Sequence, residues 1–558
     1  MKPVTEEQQF LLAQSMSMMD AIYDERAEML WNEEDGDSES HSTRASAHYA
    51  VGLLMRGGPG DRERACKVLH RVMDMQFDDP EEIYYGTFRT SPEAKVPPKG
   101  HFPWKSFGPG FSYYLTSTLE RIADKLSGEL AAVAGRDQVQ SAFESATASI
   151  LPPVWASYDP NWREFIACAF AITLEHFESH LPEAVVSRMD LAMERAVIGS
   201  VERRLSDAIP MNTNIELMHL FICDYFGHRL NRAEWIAHAD SFAEQFRKSF
   251  SEFGTFAEFN SSTYYGVDLT VLGLIRNYGR SSEVRRMGSE VESGLWDNIG
   301  LFYHAGLENL CGPYSRGYEM EMTAHSSLGV FLYLALGESC KHLTGVNCET
   351  SHDPLIALAG VNVPSHIVPA LWSFSGEKLV RKQYRELCER DDPQANSHLC
   401  TATAWLGEHL MIGAMSGSRN TSGQLHPATM HWQSEDGERY SLRMVRRETG
   451  GHWSKHMRGI VTNAEAEKDK LSIQVEFTTD NPIELVFEIS GLTPIAAEIT
   501  EDRWRLPGLT LHVTAEAPQP IVDAAGERLE IIYTYRPASE NEQMRFVLER
   551  VLASDSAP

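Results

Sequence analysis

The sequence predicts an α+β multidomain chain: an N-terminal α/α toroid of helical hairpins, then a C-terminal antiparallel β-sandwich. Three observations lead there. Apolar residues recur at three- and four-residue spacing from about residue 5 to 375. From about residue 400 the period falls to two, with Asn-Pro, Gly and Pro-Gly turn signals between the runs. The length, 558 residues, exceeds what one core supports, so two or three domains are expected. We place the helical domain over 1–375 and the sandwich over 376–558.

The helical runs include Ala47–Met55, Trp162–Phe177, Ala184–Leu205, Ile215–Leu230, Ala233–Phe250 and Glu321–Gly337. Their connections are mostly short, and long helices joined by short links pack antiparallel. Hairpins of this kind close into a toroid or stack as an open solenoid. A solenoid shows a fixed repeat length; none is found here, which favours the toroid. Pro354 to Ser397 has mixed character and is expected to cross between the domains. Five later runs alternate: LSIQVEFTT, IELVFEIS, LTLHVTAEA, RLEIIYTYRP and MRFVLERVL. Five such strands in series make an antiparallel sheet or sandwich. Before them, Trp405 to Pro427 reads as strands and turns closing one wall of a cleft.

Composition narrows the function. Hydrophobic residues are 42% and charged residues 23%, a soluble globular profile. No apolar run nears the ~20 residues that span a bilayer. The N-terminus is acidic and amphipathic and lacks the basic start of a signal peptide, so a cytoplasmic location is expected. Eight cysteines are scattered without a C-x-x-C pair, which suggests reduced, buried thiols. A net charge of −29 argues against nucleic acid and against an anionic membrane. No G-x-G-x-x-G, Walker loop or G-x-S-x-G elbow occurs, so nucleotide and flavin chemistry lack support and no cofactor is expected.

Two polar-aromatic segments interrupt the helical pattern: GTFAEFNSSTYYGVDL, Gly254 to Leu269, and GLENLCGPYSRGYEMEM, Gly306 to Met322. A helical hairpin needs only a short polar turn. Connections beyond about 12 residues are usually functional or disordered, and these are too aromatic for disorder. With MNTNIEL, which holds Asn212 and Asn214, they are the candidate floor of a site.

In this order, helices first and sandwich second, the chain resembles the polysaccharide lyases of the chondroitin, alginate and heparin lyase type. Those enzymes carry an Asn, a His or second Asn, a Tyr and one or more Arg across the toroid mouth, in roughly that chain order. The resemblance rests here on Asn214, on Asn260, Tyr264 and Tyr265 in EFNSSTYYG, and on Tyr314, Arg316 and Tyr318 in GPYSRGY. It implies β-elimination from a uronate-containing oligosaccharide. Asn214 and Asn260 would neutralise the carboxylate beside the C5 proton. Arg316 would clamp that anion with two parallel hydrogen bonds and lower the pKa of Tyr264, the acid or base. Tyr265 is adjacent, and neighbouring helical side chains diverge, so at most one of the two tyrosines reaches the cleft. Such lyases often have a histidine where Asn260 stands. None directly precedes Tyr264, and His219, His304 or His325 would have to supply it from another helix.

Other readings stand beside this one. Asn212 or Asn214 can serve as a helix N-cap, the tyrosines can wedge a helix into the core, and Arg316 can bind helix C-terminal carbonyls. A glycoside hydrolase would use a carboxyl pair such as Glu258 with Glu321. A non-catalytic glycan-binding or scaffold protein would use the segments as loop architecture only. His304 with Glu308, and Glu321 with His325, have i, i+4 spacing, but no H-E-x-x-H occurs and no metal is assigned. The early segment Ile83 to Gly110 is aromatic and broken by Pro97 and Pro98. Tyr84 and Trp104 there, with Trp162, are candidate sugar platforms. Arg89, His101, Glu258, Tyr314, Tyr318 and His325 are candidate substrate contacts. The expected partner is a small molecule or oligosaccharide, and a homo-oligomer stays open.

Overall fold

The computed structural model describes residues 5–32, 40–82, 84–94, 96–97, 158–206, 212–322, 326–345, 353–387, 397–491, 495–524, 528–537 and 542–552. The class is α+β, as expected: helices fill the described chain up to Trp372, and strands of two antiparallel sheets follow from Lys378. By contact the chain forms two compact units. Unit 1 is Met1–Glu244, Thr270–Arg286 and Glu349–Gly360; unit 2 is Gln245–Leu269, Met287–Cys348 and Val361–Pro558. Among the described residues no helix is long and apolar enough to cross a membrane.

Unit 1 is helical. Thr5 opens Glu6–Ala21 with a capping box: its hydroxyl accepts from the Gln8 N–H, and the Gln8 side chain accepts from the Thr5 N–H. A small antiparallel sheet, β1 (Tyr23–Asp24), β2 (Met29–Trp31) and β3 (His41–Ser42), leads to Thr43–Arg56. Ser42 caps that helix through the Ala45 N–H at 3.2 Å, and Gly57 ends it at φ 63°. Thr43–Arg56 packs on Asp61–Asp74 and on Trp162–Phe177. Trp162–Phe177 packs in turn on Glu183–Ser206 and Thr213–Arg229. Thirteen of its sixteen residues are buried, which is why it is apolar nearly all round.

Unit 2 holds the ribbon β4 (Tyr303–His304) with β5 (Asn309–Leu310), then the sandwich. Its strands are β6 (Lys378–Leu387), β7 (Ser397–Leu406), β8 (Leu410–Ser416), β9 (Ala428–Gln433), β10 (Arg439–Glu448), β11 (Ile460–Glu467), β12 (Lys470–Phe477), β13 (Ile483–Gly491), β14 (Glu498–Ile499), β15 (Arg503–Leu506), β16 (Leu509–Glu516), β17 (Ile521–Asp523), β18 (Arg528–Tyr535) and β19 (Gln543–Arg550). Eight form one sheet in the order β17-β18-β13-β10-β9-β8-β7-β6, and six the other, β11-β12-β19-β16-β15-β14. Strand β6 lies in the stretch expected to be mixed. It alternates, but with Lys382 and Glu386 among its inward residues, and as an edge strand it can carry them.

The two faces of the eight-stranded sheet differ. Ile412, Met430, Leu442, Phe487 and Ile531 face the six-stranded sheet and share one core with Ile473, Trp504, Leu511 and Phe546. Their neighbours one residue along face the other way, and there the sheet offers Gly413, Thr429, Arg443 and Glu488. Thr429, Arg443 and Glu488 are nonetheless buried. A buried polar face must be hydrogen-bonded, and the 311–319 loop supplies part of that bonding.

Candidate active site

Asn260, Ser261, Ser262 and Thr263 fasten one special segment to the other. Asn260 sits in the left-handed region at φ 52°, where Asn is among the few L-residues tolerated. Its Nδ2 donates to the carbonyls of Cys311 at 2.8 Å and Pro313 at 2.9 Å. The Ser261 hydroxyl donates to the Arg316 carbonyl at 2.7 Å, and the Ser262 hydroxyl to the Glu319 carbonyl at 3.1 Å. Thr263 Oγ1 accepts from the Tyr318 N–H at 3.3 Å. In return Ser315 gives its N–H and hydroxyl to the Phe259 carbonyl, at 3.0 and 2.9 Å.

The same loop is pinned to the sandwich. Tyr314 and His426 exchange main-chain hydrogen bonds of 3.1 and 2.9 Å, and the Gly317 N–H donates to the Gln424 carbonyl at 3.0 Å. This close passage needs glycine: a Cβ on Gly413 would stand 2.1 Å from the Gly312 carbonyl carbon.

Between these seams lies Arg316. Its Nε donates to Gln424 Oε1 at 2.9 Å, its Nη1 to Glu258 Oε1 at 2.7 Å and its Nη2 to the Tyr264 hydroxyl at 2.9 Å. The guanidinium carbon is 4.1 Å from the Tyr264 ring centroid, in cation–π range. The Tyr318 ring lies 6.5 Å from that of Tyr264. Glu258 is buried, whereas Arg316, Tyr264, Tyr318 and Gln424 are half-buried. The cluster therefore keeps an accessible side.

Electrostatics give Tyr264 its proton. Burial raises the phenol well above its ordinary range, against the pull of Arg316 and with help from Tyr318 and Glu258. The expected lowering by Arg316 is thus present but outweighed by burial. Burial also brings nearby His456 down to about 4, with Arg446 and Arg316 adding their repulsion, so this half-buried imidazole is neutral at pH 7. Its Nδ1 is 3.1 Å from Thr421 Oγ1. Glu321 is half-buried and pushed up to about 7 by burial, opposed by Arg439 and assisted by Glu319.

The structure brings Glu258, Tyr264, Arg316 and Tyr318 together. Tyr265 is fully buried, its oxygen accepting from the Asn260 N–H at 2.6 Å and from Asn298 Nδ2 at 2.9 Å. It anchors a helix start rather than reaching a cleft. Tyr314 is also fully buried, its hydroxyl donating to the Leu310 carbonyl. Asn260 spends its Nδ2 on the loop, so the neutralising role expected of it gives way to a structural one.

In unit 1, Asn214 is buried in the first turn of Thr213–Arg229 with its Oδ1 unbonded. Asn212 holds the N-cap position there without a side-chain cap bond. Tyr84 packs in a buried aromatic cluster with Phe77 and Tyr158 and offers no platform. Arg89 is turned to the carbonyls of Pro92 and Ala94, a loop clamp rather than a substrate contact. Trp162 is half-buried beneath the Arg44 guanidinium. His101, Trp104 and His325 lie outside the described residues. His304 is buried, its Nε2 bonded to the Gly407 carbonyl.

The sequence reading did not single out Gln424 or His456. The signal for the first was available: SGSRNTSGQLHP, from Ser416, is longer and more polar than a hairpin needs.

Among solved structures the chain is similar to the Streptomyces coelicolor A3 chondroitin AC lyase in complex with chondroitin sulphate. Identity is 10%, coverage 99% of this chain and 81% of that one, and the TM-score 0.41. It is also similar to a heparan sulfate lyase HepC mutant from Pedobacter heparinus, at 8% identity, 97% and 88% coverage and a TM-score of 0.30. No curated protein matches. A family model described as Domain of unknown function (DUF8769) matches residues 9–150 and 136–359, and the chain belongs to that family.

Proposed function

We propose that this protein is a carbohydrate-active lyase that cleaves a uronate-containing oligosaccharide by β-elimination. The observation that carries the reading is the Arg316–Tyr264 contact: a guanidinium bonded at 2.9 Å to a phenol that keeps its proton. Three of the five Arg316 N–H groups are engaged, which leaves two for a substrate carboxylate. Spreading the carboxylate charge acidifies the C5 proton. The neutral imidazole of His456 takes that proton. The C5 electron pair becomes the C4–C5 double bond, the C4–O4 bond breaks, and Tyr264 gives its proton to the departing oxygen. Arg316 then stabilises the phenolate until the proton returns from His456 through solvent. The six described cysteines are all free thiols, which fits a reducing compartment.

The test is incubation with uronate oligosaccharides while following the ultraviolet absorbance of the conjugated double bond. Absorbance that rises with wild type and is absent with Tyr264→Phe is expected. Full activity in that variant overturns the assignment.

Glu321 favours a second reading. A carboxyl raised to about 7, in a protein where Glu258 is a salt-bridged carboxylate, has the character of a glycosidase general acid. Hydrolysis would release reducing ends without the absorbance, and that activity would fall with Glu321→Gln and survive Tyr264→Phe.

A further inference from the structure

A second cluster of reactive side chains lies wholly within unit 1. His219 and Cys223 are one turn apart on Thr213–Arg229, and His238 comes from Ala233–Phe253. Their ligating atoms all lie within 4.8 Å of one another. The two Nε2 atoms are 2.9 Å apart, and Cys223 Sγ is 3.9 Å from His219 Nε2. His219 and Cys223 are fully buried, while His238 is half-buried and gives the cluster access to solvent.

The ring of His219 is oriented from behind. Ser200 donates its hydroxyl proton to Glu164 at 2.5 Å. Its oxygen then accepts from His219 Nδ1 at 2.8 Å. That order protonates Nδ1 and turns the Nε2 lone pair toward His238. A buried carboxylate acting on the far nitrogen of an imidazole is the support that metal-binding histidines use to fix their tautomer. Glu164 is itself fully buried beside Arg163 and Arg203.

We propose that His219, Cys223 and His238 form a zinc site with three protein ligands and a fourth position open to water. Two imidazoles and a thiolate suit zinc and disfavour magnesium or calcium, which take oxygen ligands. The dimensions suit it too. With Zn–N near 2.0–2.1 Å, the nitrogen–nitrogen edge of a tetrahedron is about 3.3 Å, and with Zn–S near 2.3 Å the nitrogen–sulfur edge is about 3.6 Å. The rings must part by about 0.4 Å and the thiol approach His219 by about 0.3 Å; the thiol, which lies within 4.8 Å of His238, must close on that ring as well by side-chain rotation. The ion takes the place of the hydrogen bond between the rings. His238 moves its proton from Nε2 to Nδ1, and Cys223 releases one proton to solvent. The ion would tie Thr213–Arg229 to Ala233–Phe253.

The experiment titrates the metal-stripped full chain with cobalt(II) chloride, without substrate, so that its result is independent of the elimination chemistry. We expect one equivalent per chain, with the visible bands of tetrahedral cobalt and a thiolate-to-cobalt charge-transfer band, both abolished by added zinc. Cys223→Ser should remove the charge-transfer band, and His238→Gln should weaken binding at least about tenfold. His238 is half-buried, so its variant decides the matter if Cys223→Ser does not fold. No stoichiometric tetrahedral spectrum, or a spectrum unchanged in the folded variants, overturns the proposal.

Discussion

Asp268 lies one helical turn beyond Tyr264, its N–H donating to the Tyr264 carbonyl at 2.9 Å, and neither oxygen of its fully buried carboxyl has a hydrogen-bond partner. Burial raises this carboxyl well above its ordinary range, Glu258 adds to the rise, and Arg316 opposes it. A group whose folded pKa is raised binds more protons folded than unfolded. Its stabilising contribution is complete below its ordinary value near about 3.9 and is lost as pH rises through the folded value. The loss amounts to at most about 1.4 kcal/mol per pH unit. Asp268→Asn removes the titration. In urea unfolding across acidic to neutral pH, the variant should gain on wild type as pH rises. Parallel stability curves would sink this account.

Tyr264→Phe deletes the hydroxyl that accepts from Arg316 but keeps the ring against the guanidinium. The stability change should stay within about 1.5 kcal/mol, the worth of one hydrogen bond. Loss of the proton donor should slow elimination by about 10²–10⁴ with little change in substrate binding. Arg316→Lys retains a cation for Glu258 but cannot reach Gln424, Glu258, Tyr264 and a carboxylate together. It should raise KM as well as lower kcat. Equal KM values for wild type and Arg316→Lys would remove the anion clamp from the mechanism.

Asn260 tests the seam between the two segments. Asn260→Ala loses the bonds to Cys311 and Pro313, about 1 kcal/mol each, and forces alanine into the left-handed region for about 1–2 more. Asn260→Gly loses the bonds but keeps the backbone at ease. Thermal or urea unfolding should rank glycine above alanine by about 1–2 kcal/mol, the reverse of their order in helices. A more stable alanine variant would show that the positive φ of 52° is not held in solution.

How far the sequence reached follows the physics of each feature. The change of period from 3.6 to 2 reports which face of an element is core, so the class and most of the strands could be read directly. Periodicity is silent about the opposite face. Nothing in the alternation around Thr429 and Arg443 signals that the 311–319 loop covers that face. The meeting of Tyr264 with Arg316 was foreseeable, because two aromatic-polar interruptions had no packing reason to exist. The role of Asn260 was not: an amide that clamps carbonyls and one that faces a carboxylate carry the same letter. Gln424 and His456 arrive from the sandwich, more than 100 residues along the chain from the two polar-aromatic segments.

Arg443 carries the last prediction, because it links stability to the site. It is 2% exposed, and it bonds Glu488 through Nε at 2.7 Å and the Tyr318 carbonyl through Nη1 at 2.6 Å. Its guanidinium carbon lies 4.5 Å from the Trp453 ring centroid. Glu488 also accepts from Arg528 at 3.0 Å. Arg443→Met leaves the buried Glu488 partly stranded, with only the half-buried Arg528 as a cationic partner, and should cost up to about 3–5 kcal/mol. Adding Glu488→Leu removes that stranded charge, so the double variant should recover at least about 2 kcal/mol of the loss. The Arg443 bond to the Tyr318 carbonyl is missing in both, so activity should remain low in the double variant even as stability returns. Urea unfolding and initial rates measured on the same preparations separate the two effects. A double variant no more stable than Arg443→Met would mean that the Arg443 bonds to Tyr318 and Trp453, rather than its charge balance with Glu488, hold this face of the sheet.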